Sequence, residues 1–244
     1  MRFLRAVVII VVVLGGLFVA ADRFAVGYAE SQLADRIRAR QGLAGSAEVE
    51  IHGFPFLTQA LSHDLDRVDV KLKGVDAVAD GRKTRLTELD AGFRGVKLNG
   101  DYSGGTAQRA EGSALITYPD LTEASQTGVK LSYGGAPDKV KVTASVNVLG
   151  QTFTRSVVST VTLVDAPGGG KSGGKGGGKL VRVRADEVPG EGIPGIENAV
   201  RKKTDFDRRL DDGLPVGLQL TGLTSDESGV HLKLSGTDVA LAGS

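Results

Sequence analysis

Residue types capable of catalysis are few in this sequence, and they are scattered. There is no cysteine, which excludes disulfides, thiolate zinc sites and thiol nucleophiles. The three histidines, His52, His63 and His231, lie in separate segments without the spacing of a zinc motif such as HExxH. A GxSxG nucleophile elbow is missing as well. We therefore expect no metal, no cofactor and no catalytic nucleophile.

Paired carboxylates are the remaining candidates for catalysis, because glycoside hydrolysis needs only two of them. The sequence offers two groups: Asp64, Asp66, Asp205, Asp207, Asp211 and Asp212. Most of them have the setting of solvated charges in turns and on helix faces. A cell-wall hydrolase therefore stays open as an alternative, although we expect a protein that is not an enzyme.

The glycine- and lysine-rich stretch Gly168–Gly178 is similar to a phosphate-binding loop only superficially. Asp165 stands where the GxxxxGK motif has its first glycine, and no strand-to-helix junction follows. We interpret the stretch as a flexible, solvated hairpin loop. The alternative is contact with anionic lipid headgroups through neighbouring basic residues: Lys171, Lys175, Lys179, Arg182 and Arg184.

Composition restricts the remaining classes of protein. The formal net charge of the 244 residues is +1, so no overall field favours a nucleic acid partner. Aromatic residues are few and there are 35 glycines, while Val, Leu and Thr recur in alternating runs. This composition favours many strands and turns.

The N-terminus has the pattern of an export signal. Arg2 and Arg5 precede the uncharged run Ala6–Ala21, and such a basic end is held in the cytoplasm. A helix of this length covers about 24 Å, slightly less than a hydrocarbon core of roughly 30 Å. Residues 1–21 are therefore either a signal peptide cleaved before Asp22 or a retained membrane anchor. In both cases residues 22–244 would form a single domain outside the cytoplasmic membrane.

The apolar periodicity predicts an α+β fold. Helices are expected at Asp22–Arg40, Asp120–Gln126 and Ile196–Leu210, and alternating strands fill most of the rest. Along one predicted strand, the apolar residues change from odd-numbered positions (Leu89, Ala91 and Phe93) to even-numbered positions (Val96 and Leu98). This change predicts a bulge near Gly95. Because one-sided strands outnumber helices, we expect a highly curved, mostly antiparallel sheet wrapped around a long helix, with an apolar tunnel between them.

The segment Gly53–Gln59, GFPFLTQ, carries two of the eight phenylalanines. Pro55 fixes φ and removes a hydrogen-bond donor, so a sheet edge, bulge or turn is expected there. Gly53 allows a sharp change of backbone direction. The two rings, Phe54 and Phe56, either plug the end of a sheet as a packed corner or line an apolar ligand cavity.

Several segments, in this order, resemble a known family. They are GFPFLTQ, DRVDVKLK at Asp66–Lys73, YPDL at Tyr118–Leu121, LPVGLQL at Leu214–Leu220 and SGVHLKLSG at Ser228–Gly236. Together they resemble an actinobacterial envelope family of phospholipid-binding proteins, the family of the mycobacterial lipomannan elongation factor. The resemblance implies a fold similar to tubular lipid-binding (bactericidal/permeability-increasing-like) domains. It supplies no catalytic residues, and the Gly168–Gly178 insertion departs from its pattern.

The resemblance implies an exported phospholipid-binding protein that supports the assembly of envelope lipids or lipoglycans, with lipid transfer as a further expectation. We expect acyl chains in an apolar groove between helix and sheet, and the candidate lipid-binding residues are Phe54, Phe56, Leu57, Leu33 and Ile37. The expected partners are a phospholipid, a membrane surface and an envelope glycosyltransferase or other envelope protein, but no nucleic acid. The alternative is a membrane-tethered scaffold with a fully packed core.

Overall fold

The computed structural model describes residues 2–41, 45–79, 82–125, 129–148, 151–165, 179–187, 205–209 and 214–241. Within these ranges the helices are α1 (Arg2–Gln41), α2 (Phe56–Ser62) and α3 (Tyr118–Ser125). The strands are β1 (Ala47–His52), β2 (Asp64–Ala79), β3 (Arg82–Leu98), β4 (Gly105–Ile116), β5 (Val129–Tyr133), β6 (Lys139–Val148), β7 (Gln151–Asp165), β8 (Lys179–Ala185), β9 (Phe206–Arg209), β10 (Leu218–Ser225) and β11 (Val230–Leu241).

The strands form two antiparallel sheets. The six-stranded sheet has the order β1-β2-β3-β4-β11-β10, and the five-stranded sheet has the order β5-β6-β7-β8-β9. The predicted mixture of helices and antiparallel strands is therefore confirmed, with a long apolar helix at the N-terminus. The wrapping of a curved sheet around that helix stays a prediction.

The six-stranded sheet has one apolar face and one charged face, because side chains alternate along each strand. The register aligns one apolar row across the sheet: Val49, Val70, Ala91, Gly112, Leu234 and Leu220. The next row, on the opposite face, is polar: Glu48, Lys71, Asp90, Ser113 and Lys233. The apolar face alone is able to form a core.

On four adjacent strands, β2, β3, β4 and β11, the buried side chains change between odd-numbered and even-numbered positions at the same level of the sheet. At this level lie Asp66, Gly95, Gln108 and Asp238, of which Gly95 and Asp238 have positive φ angles of 59° and 52°. The bulge predicted near Gly95 is wrong, because Arg67–Arg94 and Leu65–Val96 keep one register and no residue is inserted. Each neighbouring strand changes parity at the same level.

Two hydrophobic clusters fill the apolar face. The first packs α1 and α2 against the β1–β4 side of the sheet and includes Val26, Val49 and Phe56. The second lies between the two sheets and includes Leu220 and Val161. The half-buried Leu86 and Leu89 pack against both clusters, so they join the two parts of the core.

Helix α1 lies along β1 in the antiparallel direction. Arg38 Nη2 donates to Ala47 O (2.9 Å), and Ile51 N donates to Glu30 Oε1 (2.7 Å). The two contacts are eight residues apart on the helix and four residues apart on the strand, and both separations correspond to about 12–13 Å. The contacts therefore fix the position of α1 along β1. Since α1 is continuous from Arg2, its apolar N-terminal part extends past the end of β1.

The predicted third helix is wrong where the structure describes it. Phe206–Arg209 is strand β9, paired with β8. Asp207 forms ion pairs with Arg182 (3.0 Å) and Arg184 (2.8 Å) of β8, and such cross-strand charge pairs stabilise a sheet. The rest of that predicted helix lies outside the described residues, as do the candidate carboxylates Asp211 and Asp212 and the stretch Gly168–Gly178.

Helix α3 confirms the prediction at Asp120–Gln126, with small differences at both ends. Thr117 precedes it as the N-cap residue, and its Oγ1 accepts from Asp120 N (3.5 Å), which is one of the two contacts of a capping box. The same Oγ1 donates to Asp120 Oδ2 (2.6 Å), so the second contact joins the two side chains and does not reach the backbone N–H of Thr117.

Candidate functional site

The GFPFLTQ segment is a turn followed by the short helix α2. Gly53 has a φ of 111°, a conformation that favours glycine, and a Cβ at this position would displace the Gln59 side chain, whose Nε2 would lie 2.2 Å away. Pro55 directly precedes α2 in an extended conformation. The expected turn is confirmed, but the sequence reasoning missed α2. Its residues, FLTQALS, contain good helix formers, yet a segment of seven residues shows too little periodicity.

The buried carboxylate of Asp22 connects α1 to this turn. Its side chain is 0% exposed, and Oδ1 accepts a hydrogen bond from Leu57 N (2.8 Å) at the first turn of α2. Arg23 pairs with Asp22 Oδ2 (2.9 Å), and the same guanidinium lies 5.3 Å from the centroid of the Phe54 ring. Residues directly beyond the apolar run therefore hold the turn in place.

The five predicted site residues lie in different environments. Phe56 is buried, and Ile37 packs against the same cluster. Leu57 is half-buried, whereas Leu33 is 37% exposed and Phe54 is 58% exposed. The structure thus brings Ile37 and Phe56 together in the first cluster and leaves the Phe54 ring at the surface. Their contact with lipid stays a prediction.

A half-buried apolar strip lies on β2 and β3, between the two hydrophobic clusters. We call Val70, Leu86, Leu89, Ala91 and Phe93 the apolar strip. Val70 and Ala91 are cross-strand neighbours, and Leu89, Ala91 and Phe93 alternate along β3. The described residues leave these side chains partly accessible although they belong to the core face. Sequence reasoning placed the three β3 residues on one face but did not single them out.

A groove of about 760 Å³ lies on the opposite, charged face of the same sheet. Its walls include Arg67, Arg94 and Arg109, which are cross-strand neighbours in β2, β3 and β4. Because an acyl chain gains nothing from charged walls, this groove is not the expected apolar tunnel.

A small ion-pair network borders this groove. Glu50, His52 and Asp69 bring potential metal-ligand atoms within 4.8 Å of one another. Asp69 is already held by Arg67 (2.8 Å) and His52 (2.9 Å). Burial acts to raise the pKa of Asp69, but its hydrogen bond and ion pair with Arg67, and the contact with His52, lower it overall. Charge pairing accounts for this group without a metal ion.

The β10–β11 turn gathers a serine, a histidine and an aspartate, the residue types of a hydrolytic triad. His231 Nε2 lies 2.8 Å from Asp226 Oδ2 and 3.2 Å from Ser228 Oγ. In a triad the aspartate and serine contact different nitrogens of the ring, but here both contact Nε2. Ser228 Oγ also donates directly to Asp226. The geometry fits a stabilised turn and provides no proton relay.

Comparison with known proteins gives one match. A family model described as LmeA-like phospholipid-binding matches residues 20–235. No curated protein and no solved structure matches the chain significantly. The matched range includes Asp22, the GFPFLTQ turn and the apolar strip, so it covers the whole of the candidate site.

Proposed function

Because the chain belongs to the LmeA-like phospholipid-binding family, we propose that it binds phospholipid with the acyl chains lying along the apolar strip. The family description names lipid binding and no reaction. Among the described residues, His52, His231 and Asp207 agree with this, since they are engaged in ion pairs and turn contacts.

The half-buried apolar strip is the observation that carries the proposal. It is a part of the core face that the two hydrophobic clusters leave half-buried. Each methylene group that moves from water to such a surface contributes about 0.8 kcal/mol. An acyl chain along Leu89, Ala91 and Phe93 would bury itself and complete the core at the same time.

The predicted site residues would border this lipid. Ile37 packs against the cluster that also contacts Val70 and Phe93, so Leu33 and Ile37 would contact one side of the chains. Phe54, Phe56 and Leu57 would contact them at the α2 end. A sheet that curves around α1 would bring these two sets of residues closer together.

We further propose an extracytoplasmic location. The helix segment Val8–Ala39 is long and apolar enough to cross a membrane, and little of its most apolar part is buried. Residues 1–21 would act as a signal or anchor, and residues 22–244 as one lipid-binding domain. Lipid transfer and support of envelope assembly are the roles that this arrangement would serve, with an envelope enzyme as a potential partner.

The test fills the apolar strip with a larger side chain. We expect Ala91→Trp to reduce the phospholipid recovered with the purified full chain, and the uptake of a fluorescent acyl probe, several-fold. The matched control is Ser113→Trp, which adds the same group to the exposed, polar face of β4. Native mass spectrometry and lipid extraction measure the bound lipid, and circular dichroism checks the fold.

Two outcomes would contradict the proposal. One is undiminished lipid in Ala91→Trp with normal stability, which would remove the strip from the site. The other is a wild-type protein that carries no lipid and takes up no probe. The second outcome would favour the alternative of a tethered scaffold with a packed core.

A further inference from the structure

Exposed apolar side chains gather at one end of the six-stranded sheet. Among the described residues outside α1, the large exposed ones are Phe54 (58%), Leu61 (77%), Tyr102 (48%), Val158 (37%) and Val216 (51%). Val158 lies on β7 in the other sheet. The other four lie where β1 and β3 end and β4 begins, and we call Phe54, Leu61, Tyr102 and Val216 the apolar rim.

Hydrogen bonds hold the members of the rim at this end. The carbonyl of His63, which follows α2, accepts from Leu98 N (2.8 Å) at the end of β3. Tyr102, in the β3–β4 turn, donates its hydroxyl to Ala60 O (3.1 Å), and its ring stacks on His63 at 4.5 Å. These contacts place Leu61 and Tyr102 on one connected surface.

Val216 reaches the same end from the far edge of the sheet. Its carbonyl accepts from Ala240 N (3.0 Å), and Ala240 pairs with Thr106 at the start of β4. The rim therefore extends from α2, past the β3–β4 turn, to the segment that precedes β10.

The apolar part of α1 projects from this end as well. Helix α1 is antiparallel to β1, and its Asp22 lies beside the first turn of α2. The preceding residues from Val8 to Val19 include a run of exposed apolar side chains. Helical residues rise 1.5 Å each, so Ala21 lies less than one helical turn from the level at which Arg23 contacts Phe54.

We infer that the apolar rim is the surface that docks on the lipid bilayer crossed by α1. A retained α1 leaves the bilayer where the rim begins, so the rim faces the interface. Phenylalanine and leucine side chains can enter this region, and tyrosine is typical of it because its ring is apolar and its hydroxyl is polar. The inference concerns the outside of the domain and does not depend on lipid bound along the apolar strip.

The charged residues around the rim have mixed signs, which indicates that the contact between the rim and the bilayer is apolar and not electrostatic. The exposed charged residues nearby have both signs: Arg23, Lys97, Asp64, Asp66 and Asp101. Such a mixture gives little attraction to anionic headgroups, which favour clusters of basic residues. We therefore expect docking on phosphatidylcholine as readily as on anionic lipid, and little effect of salt.

The absence of cysteine from the sequence permits a direct test. Leu61→Cys, Val216→Cys and the control Val158→Cys are made in the full chain, labelled with an environment-sensitive dye and reconstituted into phosphatidylcholine vesicles. All three positions are exposed, so labelling leaves the core intact. We expect spin-labelled lipids to quench the dyes at positions 61 and 216 several-fold more than at 158, and aqueous iodide to show the reverse order.

Three outcomes would overturn the inference. Equal quenching by spin-labelled lipid at all three positions would show that the rim does not face the bilayer. Loss of the difference at high salt would show an electrostatic contact instead. Concentration-dependent disulfide cross-linking through position 61 between two copies, with no lipid quenching, would assign the rim to a second copy of the chain.

Discussion

Asp22 is a carboxylate placed between an apolar helix segment and a hydrophobic cluster. Its side chain is fully buried, and it satisfies the Leu57 N–H, one of the donors that a helix leaves unpaired at its first turn. The charged Arg23 compensates it on the other oxygen. A buried carboxylate with these partners is costly to remove, because the partners lose their acceptor.

We predict that Asp22→Ala loosens the contact between α1 and α2. It should lower the urea midpoint of the full chain in detergent micelles and speed hydrogen exchange at the amides of α2. The matched control is Asp35→Ala, on the same helix, whose carboxylate is exposed and, among the described residues, pairs with Arg38. Equal changes in the urea midpoint and in hydrogen exchange for the two substitutions would show that Asp22 does not hold α2 against α1.

Asp226 gives a prediction about pH. The hydroxyl and backbone N–H of Ser228 are the main causes that lower the pKa of this aspartate from 3.8 to about 2. A carboxyl whose pKa is depressed by folding stabilises the protein above its unfolded pKa, and this stabilisation is lost as pH falls toward the folded value. We therefore expect Asp226→Asn to be less stable than wild type at pH 7, and the difference to be much smaller at a pH of about 2, where the carboxyl is about half protonated in the folded protein.

Urea unfolding at the two pH values measures this difference. A stability gap of the same size at both would mean that the carboxylate charge does not stabilise the β10–β11 turn.

At the scale of elements, a buried polar contact joins the two sheets. Ser225 ends β10 and is 3% exposed. Its Oγ lies within donating distance of Ala136 O (3.1 Å) and Lys139 O (2.9 Å), at the start of β6. Tyr118, at the start of α3, donates to Asp226 O (2.8 Å) beside it. Helix α3 and both sheets therefore meet at this point.

We predict that Ser225→Ala destabilises the fold by about 1 kcal/mol, since it removes a buried hydrogen bond while both carbonyls keep a backbone donor, Lys139 N for Ala136 O and Gly134 N for Lys139 O. The control Ser113→Ala changes an exposed serine in the same sheet, and its effect should stay within about 0.5 kcal/mol. Chemical denaturation measures both. A loss in Ser225→Ala no larger than in the control would show that the Ser225 hydroxyl does not stabilise the junction.

Most strands could be predicted from the sequence because their signal is local. Along β6, Val140 and Val142 alternate with polar residues since one face of the sheet is buried. Strand β9 could not be predicted, because its conformation depends on ion pairs with Arg182 and Arg184, far along the chain. The apolar strip was missed for a related reason. A pattern shows that Ala91 faces the core, but not how completely other elements cover it.

At the scale of the molecule, the proposed docking surface and the proposed lipid site would form successive parts of one route for lipid. With the bilayer at the rim, the strip would begin on β3 several residues from it. A lipid that leaves the bilayer would pass Phe54 before its chains reach Phe93. This order explains how an exposed ring could matter for binding that takes place elsewhere.

We predict that Phe54→Asp abolishes phospholipid uptake from vesicles, because it puts a charge on this route. Phe54 is exposed, so the fold should persist, and Val158→Asp is the control at an exposed apolar position of the other sheet. Transfer of a fluorescent phospholipid from vesicles to the full chain measures uptake. Uptake at the wild-type rate, with normal stability, would show that lipid does not pass the GFPFLTQ turn.

With residues 1–21 retained as an anchor, the contact of Asp22 with α2 would also limit how far the domain can move from the membrane. A domain fixed to its anchor within one helical turn of the apolar run has no tether on which to travel. Its reach is its own length, roughly 50 Å for a strand as long as β3 at about 3.3 Å per residue. Such a protein would not carry lipid across a wide aqueous compartment. It would present each lipid to a neighbouring protein in the same membrane. The rate of lipid delivery would then depend on the density of that protein in the membrane.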